Sequence, residues 1–90
     1  MEITYDPRKR LRTLTERKLD FENARELFAG ATFDAVDRRK DYGEERIVTV
    51  GRVNGRMMVV VWTQRGEARH IISMRKANDR EKAKFADKLG

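Results

Sequence analysis

The stretch that decides the fold is residues 47–75, IVTVGRVNGRMMVVVWTQRGEARHIISMR, in which glycine-containing turns separate three apolar runs. Asn54-Gly55 lies between the first two runs and predicts a type I′ turn, which needs positive φ at both central positions. Arg65-Gly66 marks a second turn before the third run. The pattern therefore predicts consecutive antiparallel strands over Ile47–Val53, Met57–Trp62 and Ala68–Arg75.

The middle run, Met57–Trp62, contains no polar residue. A strand without polar alternation is typical of a position in which both faces are covered, so we predict that it is central and that helices pack on the sheet. This run is also the longest apolar stretch of the chain and is far shorter than the ~20 residues that span a bilayer. We expect no membrane segment.

Alternation along the third strand brings together candidate site residues. A period of two places Arg69, Ser73 and Arg75 on one face of the sheet. The single histidine, His70, falls on the opposite face, so we expect a structural or interface role for it and no Ser-His pair. From spacing alone, arginines on a sheet face are more often solvated or salt-bridged than catalytic.

Helical patterns lie at both ends of the chain. Asp6-Pro7 predicts an N-cap and a first-turn proline for a helix over Pro7–Arg17, with a thin leucine stripe under a basic coat. Asp20 predicts a second N-cap, and the apolar residues of Phe21–Phe28 repeat with helical spacing. The amphipathic tail Ala77–Leu89 predicts a third helix that docks on the sheet or on a partner.

Two shorter segments have strand character. Glu2–Tyr5 alternates polar and apolar residues and predicts a short edge strand, and Thr32–Val36 is rich in residues that favour strands. The charged run Asp37–Gly43 that follows predicts a solvated loop. Asn78 and Glu81 have the spacing of a capping box for the terminal helix.

Composition limits the class of protein. The 90 residues carry 21 Lys+Arg and 15 Asp+Glu, a formal net charge of +6, which favours a polyanionic partner such as nucleic acid or an acidic protein surface. A chain of this length holds one core and no deep cofactor cavity, so we predict a single domain over 1–90 without cofactors. With no cysteine and one histidine we expect no metal site and a reducing compartment, the cytoplasm.

The segment 69–81, RHIISMRKANDRE, resembles the C-terminal signature of the BrnT family of bacterial toxins, in which an Arg, Ile-Ser, Arg, Ala and Glu recur at this spacing. Further features stand in the order that this family shows: ITYDP at 3–7 with Lys9, the segment 21–28, YGEER at 42–46, and VWTQR at 61–65. Glu16-Arg17-Lys18 departs from the Lys-His-Gly of many members, so no role of that histidine is carried over. The resemblance covers nearly the whole chain.

The resemblance implies an α+β fold similar to RelE-type toxins, with two N-terminal helices and a C-terminal helix packed on a small antiparallel sheet. It also implies a ribonuclease toxin that halts translation. The implied partner is BrnA, a ribbon-helix-helix antitoxin that neutralises the toxin in a hetero-oligomer and represses their shared operon. Operator DNA would then be bound only through the antitoxin.

RNA cleavage through its own 2′-hydroxyl needs a base, stabilisation of charge on the phosphate oxygens and a proton for the leaving 5′ oxygen. No metal is required. Glu44 or Glu45 is a candidate base, and Ser73 is a candidate hydrogen-bond donor to the phosphate. Guanidinium groups hold phosphate in fork geometry and stay charged. The candidate arginines are Arg46, Arg65, Arg69 and Arg75, and the candidate RNA-binding residues of the first helix are Lys9, Arg12, Arg17 and Lys18.

Two other interpretations stay open. The first is a non-catalytic basic module that binds RNA or an acidic protein partner, although the aromatic residues fall mostly at core spacings and not on basic faces, where they would stack on bases. The second is a degenerate toxin that acts as a scaffold in a repressor complex. Incubation with bare RNA separates both from an enzyme.

Overall fold

In a computed structural model that describes residues 1–90, the chain folds as an α+β protein with a five-stranded mixed sheet and three α-helices. The strands are β1 (Glu2–Tyr5), β2 (Phe33–Val36), β3 (Ile47–Val53), β4 (Arg56–Arg65) and β5 (Ala68–Lys76). The helices are α1 (Pro7–Arg17), α2 (Ala24–Ala29) and α3 (Asp79–Leu89), and a short 3₁₀ turn over Phe21–Asn23 precedes α2. None of the helices is long and apolar enough to cross a membrane.

The predicted central hairpins are confirmed. The strand order is β1-β5-β4-β3-β2, so β4 lies in the middle of the sheet. Asn54 and Gly55 have φ values of 51° and 78°, as a type I′ turn between β3 and β4 requires. Side chains of β4 enter two separate cores: Met58 and Val60 lie in the core on one face of the sheet, and Met57 and Val59 lie in the core on the other face. The missing polar alternation of this strand is explained by that double burial.

These two cores define the two faces of the sheet. The α2 face is covered by the 3₁₀ turn and α2, whose Phe21 and Leu27 are fully buried there. Leu27 packs so closely on Gly51 that a Cβ there would lie 2.8 Å from the Leu27 Cγ atom, which explains the glycine in β3. The α3 face is covered by α3 through Phe85 and Leu89. The tail therefore docks on the sheet of its own chain.

The prediction of an antiparallel sheet is wrong at one edge, because β1 pairs with β5 in parallel, in register from Glu2 opposite Ala68 to Tyr5 opposite Ile71. An antiparallel arrangement follows from a tight turn, and no tight turn joins these strands. All the intervening elements act as the crossover connection. Sequence patterns at short range contain no information on that pairing.

The strand β5 contains a β-bulge. Val61 of β4 lies opposite Ser73, whereas the next residue, Trp62, lies opposite Ile71, so Ile72 is an extra residue without a partner. An extra residue reverses the in-and-out alternation on the other side of the bulge. Ile71 and Met74 accordingly enter the same core, three residues apart.

The predicted common face for Arg69, Ser73 and Arg75 is therefore wrong. Residues directly opposite each other on paired strands share a face. Ser73 and Arg75 lie opposite Val61 and Val59, which places them on the α3 face. Arg69 lies before the bulge and projects to the α2 face.

The helix α1 lies along the edge of β5 beyond the end of β1 and buries none of its residues. Polar contacts hold it: Arg10 forms an ion pair with Asp20 at 2.8 Å, and the Arg17 guanidinium donates a hydrogen bond of 2.9 Å to the Met74 carbonyl. Its leucine stripe faces away from the sheet, since Leu11 and Leu14 are 64% and 41% exposed. The stripe is therefore available to another molecule.

Candidate functional site

A basic cleft of about 150 Å³ lies between α1 and the bulged half of β5. The α1–β5 cleft is lined by Lys9, Arg12, Thr13, Glu16, Arg17, Ile72 and Ser73. Residues three and four apart share one side of a helix, which explains how the spacing 9, 13, 16 and 17 directs these α1 side chains at the strand. On the strand, the bulge brings Ile72 and Ser73 to the cleft.

The cleft joins predicted site residues from two distant parts of the chain. Three of the four candidate RNA-binding residues, Lys9, Arg12 and Arg17, line it together with Ser73. The fourth, Lys18, forms the left-handed C-cap of α1 with φ 60° and lies outside the lining. Glu16, which sequence reasoning did not identify as a site residue, is the one carboxylate in the lining.

A second group, the Glu44 cluster, consists of Glu44, Arg46, Arg65 and Tyr42. The Glu44 carboxylate lies 4.0 Å from Nε of Arg46 and 3.7 Å from Nη2 of Arg65. The Arg46 guanidinium stacks on the Tyr42 ring, 3.8 Å from its centre. The structure thus brings together the three predicted residues Glu44, Arg46 and Arg65.

The loop that carries Glu44 is fixed to the sheet by the neighbouring residue. The hydroxyl of the buried Thr63 donates a hydrogen bond of 2.7 Å to the main-chain oxygen of Glu45. Nε of Arg46 is buried and has no hydrogen-bond partner.

His70, on the same strand as Ser73, is a functional candidate that sequence reasoning missed. It stands opposite Thr63 on β4 and opposite Thr4 on β1. Its Nδ1 atom and the Thr4 hydroxyl are 2.8 Å apart and share a hydrogen bond, which leaves Nε2 for a ligand. Thr63 and Val61 share the α3 face, so His70 lies on the same face as Ser73.

Electrostatics keep the His70 ring neutral near pH 7. Burial lowers the pKa of His70 below its usual 6.5, and the positive charge of Arg65 lowers it further. Lys9 acts in the same direction, while Glu44 and Asp6 oppose the shift. Charges from both the Glu44 cluster and the α1–β5 cleft therefore act on His70.

One signal in the sequence indicates the bulge that brings His70 and Ser73 to the same face. Ile71 and Ile72 are adjacent, which breaks a strict apolar–polar alternation, and Met74 follows Ile71 at a distance of three. A doublet of this kind is compatible with a bulge. Strict alternation instead placed His70 and Ser73 on opposite faces.

The remaining two predicted site residues are held apart from this site. The Arg69 guanidinium stacks on the α2 face, 4.4 Å from the centre of the Phe28 ring and 4.8 Å from that of Trp62. Arg75 donates hydrogen bonds of 2.7 Å and 2.8 Å to the two carboxylate oxygens of Glu81. Both arginines already have partners within the fold.

The Arg75–Glu81 pair belongs to the start of α3. Glu81 also accepts a hydrogen bond from the Asn78 main-chain N–H, and the Asn78 side chain accepts one from the Glu81 N–H, which confirms the predicted capping box. The Arg75 guanidinium lowers the pKa of Glu81 from 4.5 to about 2. The charged form of Glu81 is therefore stabilised in the folded protein.

We expect the Glu81→Gln variant to unfold more easily at pH 7 by about 1 to 2 kcal/mol, because it loses a charge-assisted hydrogen bond. A carboxyl whose pKa is lowered by folding stabilises the protein above its unfolded value, and this stabilisation is lost as the pH falls from 4.5 towards 2. Urea unfolding at several pH values measures both effects. The difference between wild type and variant should shrink below pH 4.5, and a constant difference would contradict the prediction.

The fold and the site together define a small basic α+β protein with an open cationic cleft and a neutral histidine beside it. Among known families, one described as "Ribonuclease toxin, BrnT, of type II toxin-antitoxin system" has a sequence model that matches residues 5–81. The chain belongs to this family, so its substrate class is RNA and its partner is an antitoxin. No match was found among curated proteins.

Proposed function

We propose that this toxin cleaves RNA by attack of a 2′-hydroxyl on the adjacent phosphorus, at the site formed by His70, the Glu44 cluster and the α1–β5 cleft. The observation that carries the proposal is the placement of His70 on the face of Ser73, with Nδ1 bonded to the Thr4 hydroxyl and Nε2 free. The charges of Arg65 and Lys9 act on this ring and, with burial, lower its pKa. A neutral imidazole accepts a proton near pH 7, and fixed cations stabilise the charge that develops on the phosphate.

In this mechanism Nε2 of His70 takes the proton of the 2′-hydroxyl while the 2′ oxygen bonds to phosphorus. The guanidinium groups of Arg46 and Arg65 hold the phosphate oxygens. The bond from phosphorus to the 5′ oxygen breaks, and Lys9 supplies the proton to that oxygen. The products are a 2′,3′-cyclic phosphate and a 5′-hydroxyl.

Glu44 and Ser73 support these groups. Glu44 contacts two guanidinium groups, so we propose that it orients Arg46 and Arg65 and leaves the role of base to His70. Ser73 in the cleft would donate a hydrogen bond to a phosphate oxygen. Arg69 and Arg75, bound to their aromatic and carboxylate partners, would act by holding the sheet and α3 in place.

We expect the purified protein to degrade bare RNA in the presence of EDTA and to leave 2′,3′-cyclic or 3′-phosphate ends, because arginine and lysine side chains supply the charge stabilisation. End-group analysis of the fragments by mass spectrometry checks this expectation. Activity that EDTA abolishes and Mg²⁺ restores, or fragments with 5′-phosphates, would contradict the mechanism. An intact antitoxin complex without any cleavage would favour the scaffold interpretation.

The resemblance of the sequence to BrnT toxins also supports finer features. We infer a RelE-like fold, inhibition of translation, and a BrnA-like ribbon-helix-helix antitoxin that alone contacts operator DNA. A toxin that degrades messenger RNA must be held inactive by a partner until it is released. The antitoxin therefore has to cover or distort the proposed site.

We propose that an acidic amphipathic helix of the antitoxin covers the outward side of α1. The exposed Leu11 and Leu14 supply an apolar strip, and Arg8 and Lys18 beside it supply positive charge that complements carboxylates. An antitoxin bound there would lie directly beside the α1–β5 cleft. Both an acidic protein and RNA would complement the positive charge. The exposed leucines favour the protein, because RNA has no apolar strip to match them.

Replacing both Leu11 and Leu14 by glutamate is expected to weaken antitoxin binding about 100-fold or more, since the apolar strip is removed and like charges meet. Titration of labelled antitoxin measures the affinity. The matched control is Val36→Glu, which changes another exposed apolar residue, on β2. Equal effects of the control and the double variant would contradict docking on α1.

A further inference from the structure

A second basic pocket lies away from the proposed site, where the β3–β4 turn meets β5 and α3. Its volume is about 500 Å³, and it is lined by Arg52, Gly55, Arg56, Met57, Lys76, Lys82 and Ala86. We refer to it as the hairpin pocket. Nothing in the proposed cleavage mechanism uses it.

All four charged residues in the lining, Arg52, Arg56, Lys76 and Lys82, are cations, and no carboxylate lines the pocket. Neither Arg56 nor Lys76 takes part in any of the ion pairs of the protein. Lys82 has a weak partner, since its Nζ atom is 3.9 Å from the carboxylate of the exposed Asp79. The positive charge at this point is therefore largely uncompensated.

One of the four cations is positioned by the main chain. The Arg52 guanidinium donates hydrogen bonds of 3.4 Å and 3.1 Å to the main-chain oxygens of Leu89 and Gly90 at the end of α3. These oxygens hold the Arg52 guanidinium in a fixed position at the pocket. A concave surface lined by one sign of charge concentrates the electric field and attracts ions of the opposite sign.

The chemistry of the lining selects the ligand. Guanidinium and ammonium groups bind phosphate, and the lining contains no aromatic ring on which a base could stack. Met57 and Ala86 provide the only apolar side chains, which is too little for the apolar face of a peptide helix. The pocket fits the backbone phosphates of a nucleic acid strand better than it fits an amphipathic protein segment.

The hairpin pocket and Arg65 of the Glu44 cluster lie at opposite ends of β4. Arg56 begins this strand and Arg65 ends it, and ten residues of extended chain separate their Cα atoms by about 30 Å. A phosphate in the hairpin pocket is therefore several nucleotides away from the phosphate that is cleaved. The family match ends at residue 81, so two residues of the pocket lining, Lys82 and Ala86, lie outside the matched segment.

We propose that the hairpin pocket binds backbone phosphates of the RNA substrate at a distance from the cleaved bond, so that the toxin favours strands long enough to reach both positions. The proposal rests on the proposed ribonuclease function. Each phosphate that the protein binds releases counterions, so it adds to the salt dependence of RNA binding. A short fragment can occupy only one of the two positions at a time.

The test compares binding of 2′-O-methyl RNA, which cannot be cleaved, by wild type and by an Arg56→Gln, Lys76→Gln double variant. The matched control is Arg80→Gln, Lys84→Gln, which removes the same charges from α3 at residues that do not line the pocket. Probes are a dinucleotide and an oligomer of about 12 nucleotides, within the usual range of single-strand site sizes. Thermal unfolding verifies that each variant is folded.

For the oligomer, the pocket variant should bind roughly tenfold more weakly, and its salt slope should fall by about 0.7 for each phosphate that the variant no longer binds. Dinucleotide binding should fall much less, because a dinucleotide cannot span both positions. An equal decrease in the control variant, or no decrease in either, overturns the proposal. So does weaker antitoxin binding with unchanged RNA affinity, which would assign the pocket to the protein partner. If wild type binds neither probe, the failure lies with the ribonuclease function itself.

Discussion

Replacement of His70 by alanine is expected to lower the rate of RNA cleavage by about 10²- to 10⁴-fold, the usual contribution of a general base. The reason is that its Nε2 atom is left free by the Nδ1 bond to Thr4 and that the charges of Arg65 and Lys9, which would stabilise the phosphate, act on this ring. Single-turnover cleavage of a fluorogenic RNA measures the rate without interference from product release. Binding of 2′-O-methyl RNA should change little, because the imidazole is neutral.

The pH profile distinguishes a base from a structural residue. Since burial and Arg65 lower the pKa of His70 below 6.5, the acid limb of the rate should lie below pH 6.5 and should vanish in the alanine variant. An acid limb that persists would assign the base to another group, with Glu44→Gln as the next variant to test. His70→Asn is the control, because its amide can still bond to the Thr4 hydroxyl.

The same pKa shift affects stability in a defined direction. Folding disfavours the protonated ring, so the unfolded chain binds more protons at pH values between the folded pKa and 6.5. The free energy of unfolding should therefore decline as the pH falls from 6.5 through the folded pKa. The His70→Ala variant should lack this decline, and Glu81 contributes its own loss only below pH 4.5.

Phe21→Ala is expected to have the largest effect on stability, a loss of about 3 to 5 kcal/mol. The ring is fully buried between the 3₁₀ turn and the α2 face of the sheet, and its edge contacts the Tyr5 ring at a centroid distance of 5.9 Å. Domains of this size unfold with about 5 to 15 kcal/mol, so much of the total would be lost. Chemical denaturation followed by tryptophan fluorescence gives the value.

The control for this prediction is Phe28→Ala in the same segment. Phe28 is only half-buried, and it contacts Trp62 edge to face at 5.5 Å. The loss should be clearly smaller than for Phe21. Comparable losses would mean that the α2 face is not organised around Phe21.

Local signals predicted much of this fold. The turn at Asn54-Gly55, the caps at Asp6, Asp20 and Asn78, and the central place of β4 all depend on residues close together in the chain. Such features are set by backbone dihedral preferences and by short-range hydrogen bonds. These are properties that a single sequence displays directly.

The site was less predictable because it depends on which face of the sheet each side chain of β5 occupies and on pairing between distant segments. One unpaired residue, Ile72, moved His70 to the face of Ser73 and separated Arg69 from both. An apolar stripe on a helix usually packs on the core, but the leucine stripe of α1 faces solvent. Polar contacts by Arg10 and Arg17 hold this helix at the sheet edge instead. Neither effect has a simple periodic signature.

The parallel pairing of β1 with β5 has a consequence for biosynthesis. The N-terminal strand leaves the ribosome first, yet its partner, Ala68–Ile71, is synthesised more than sixty residues later. Translation at about 5 to 20 residues per second separates the two events by several seconds. Before this pairing, β1 and the adjoining α1, which carries Lys9, are not held beside the strand that carries His70. The site proposed above can therefore form only after residue 71 has been synthesised.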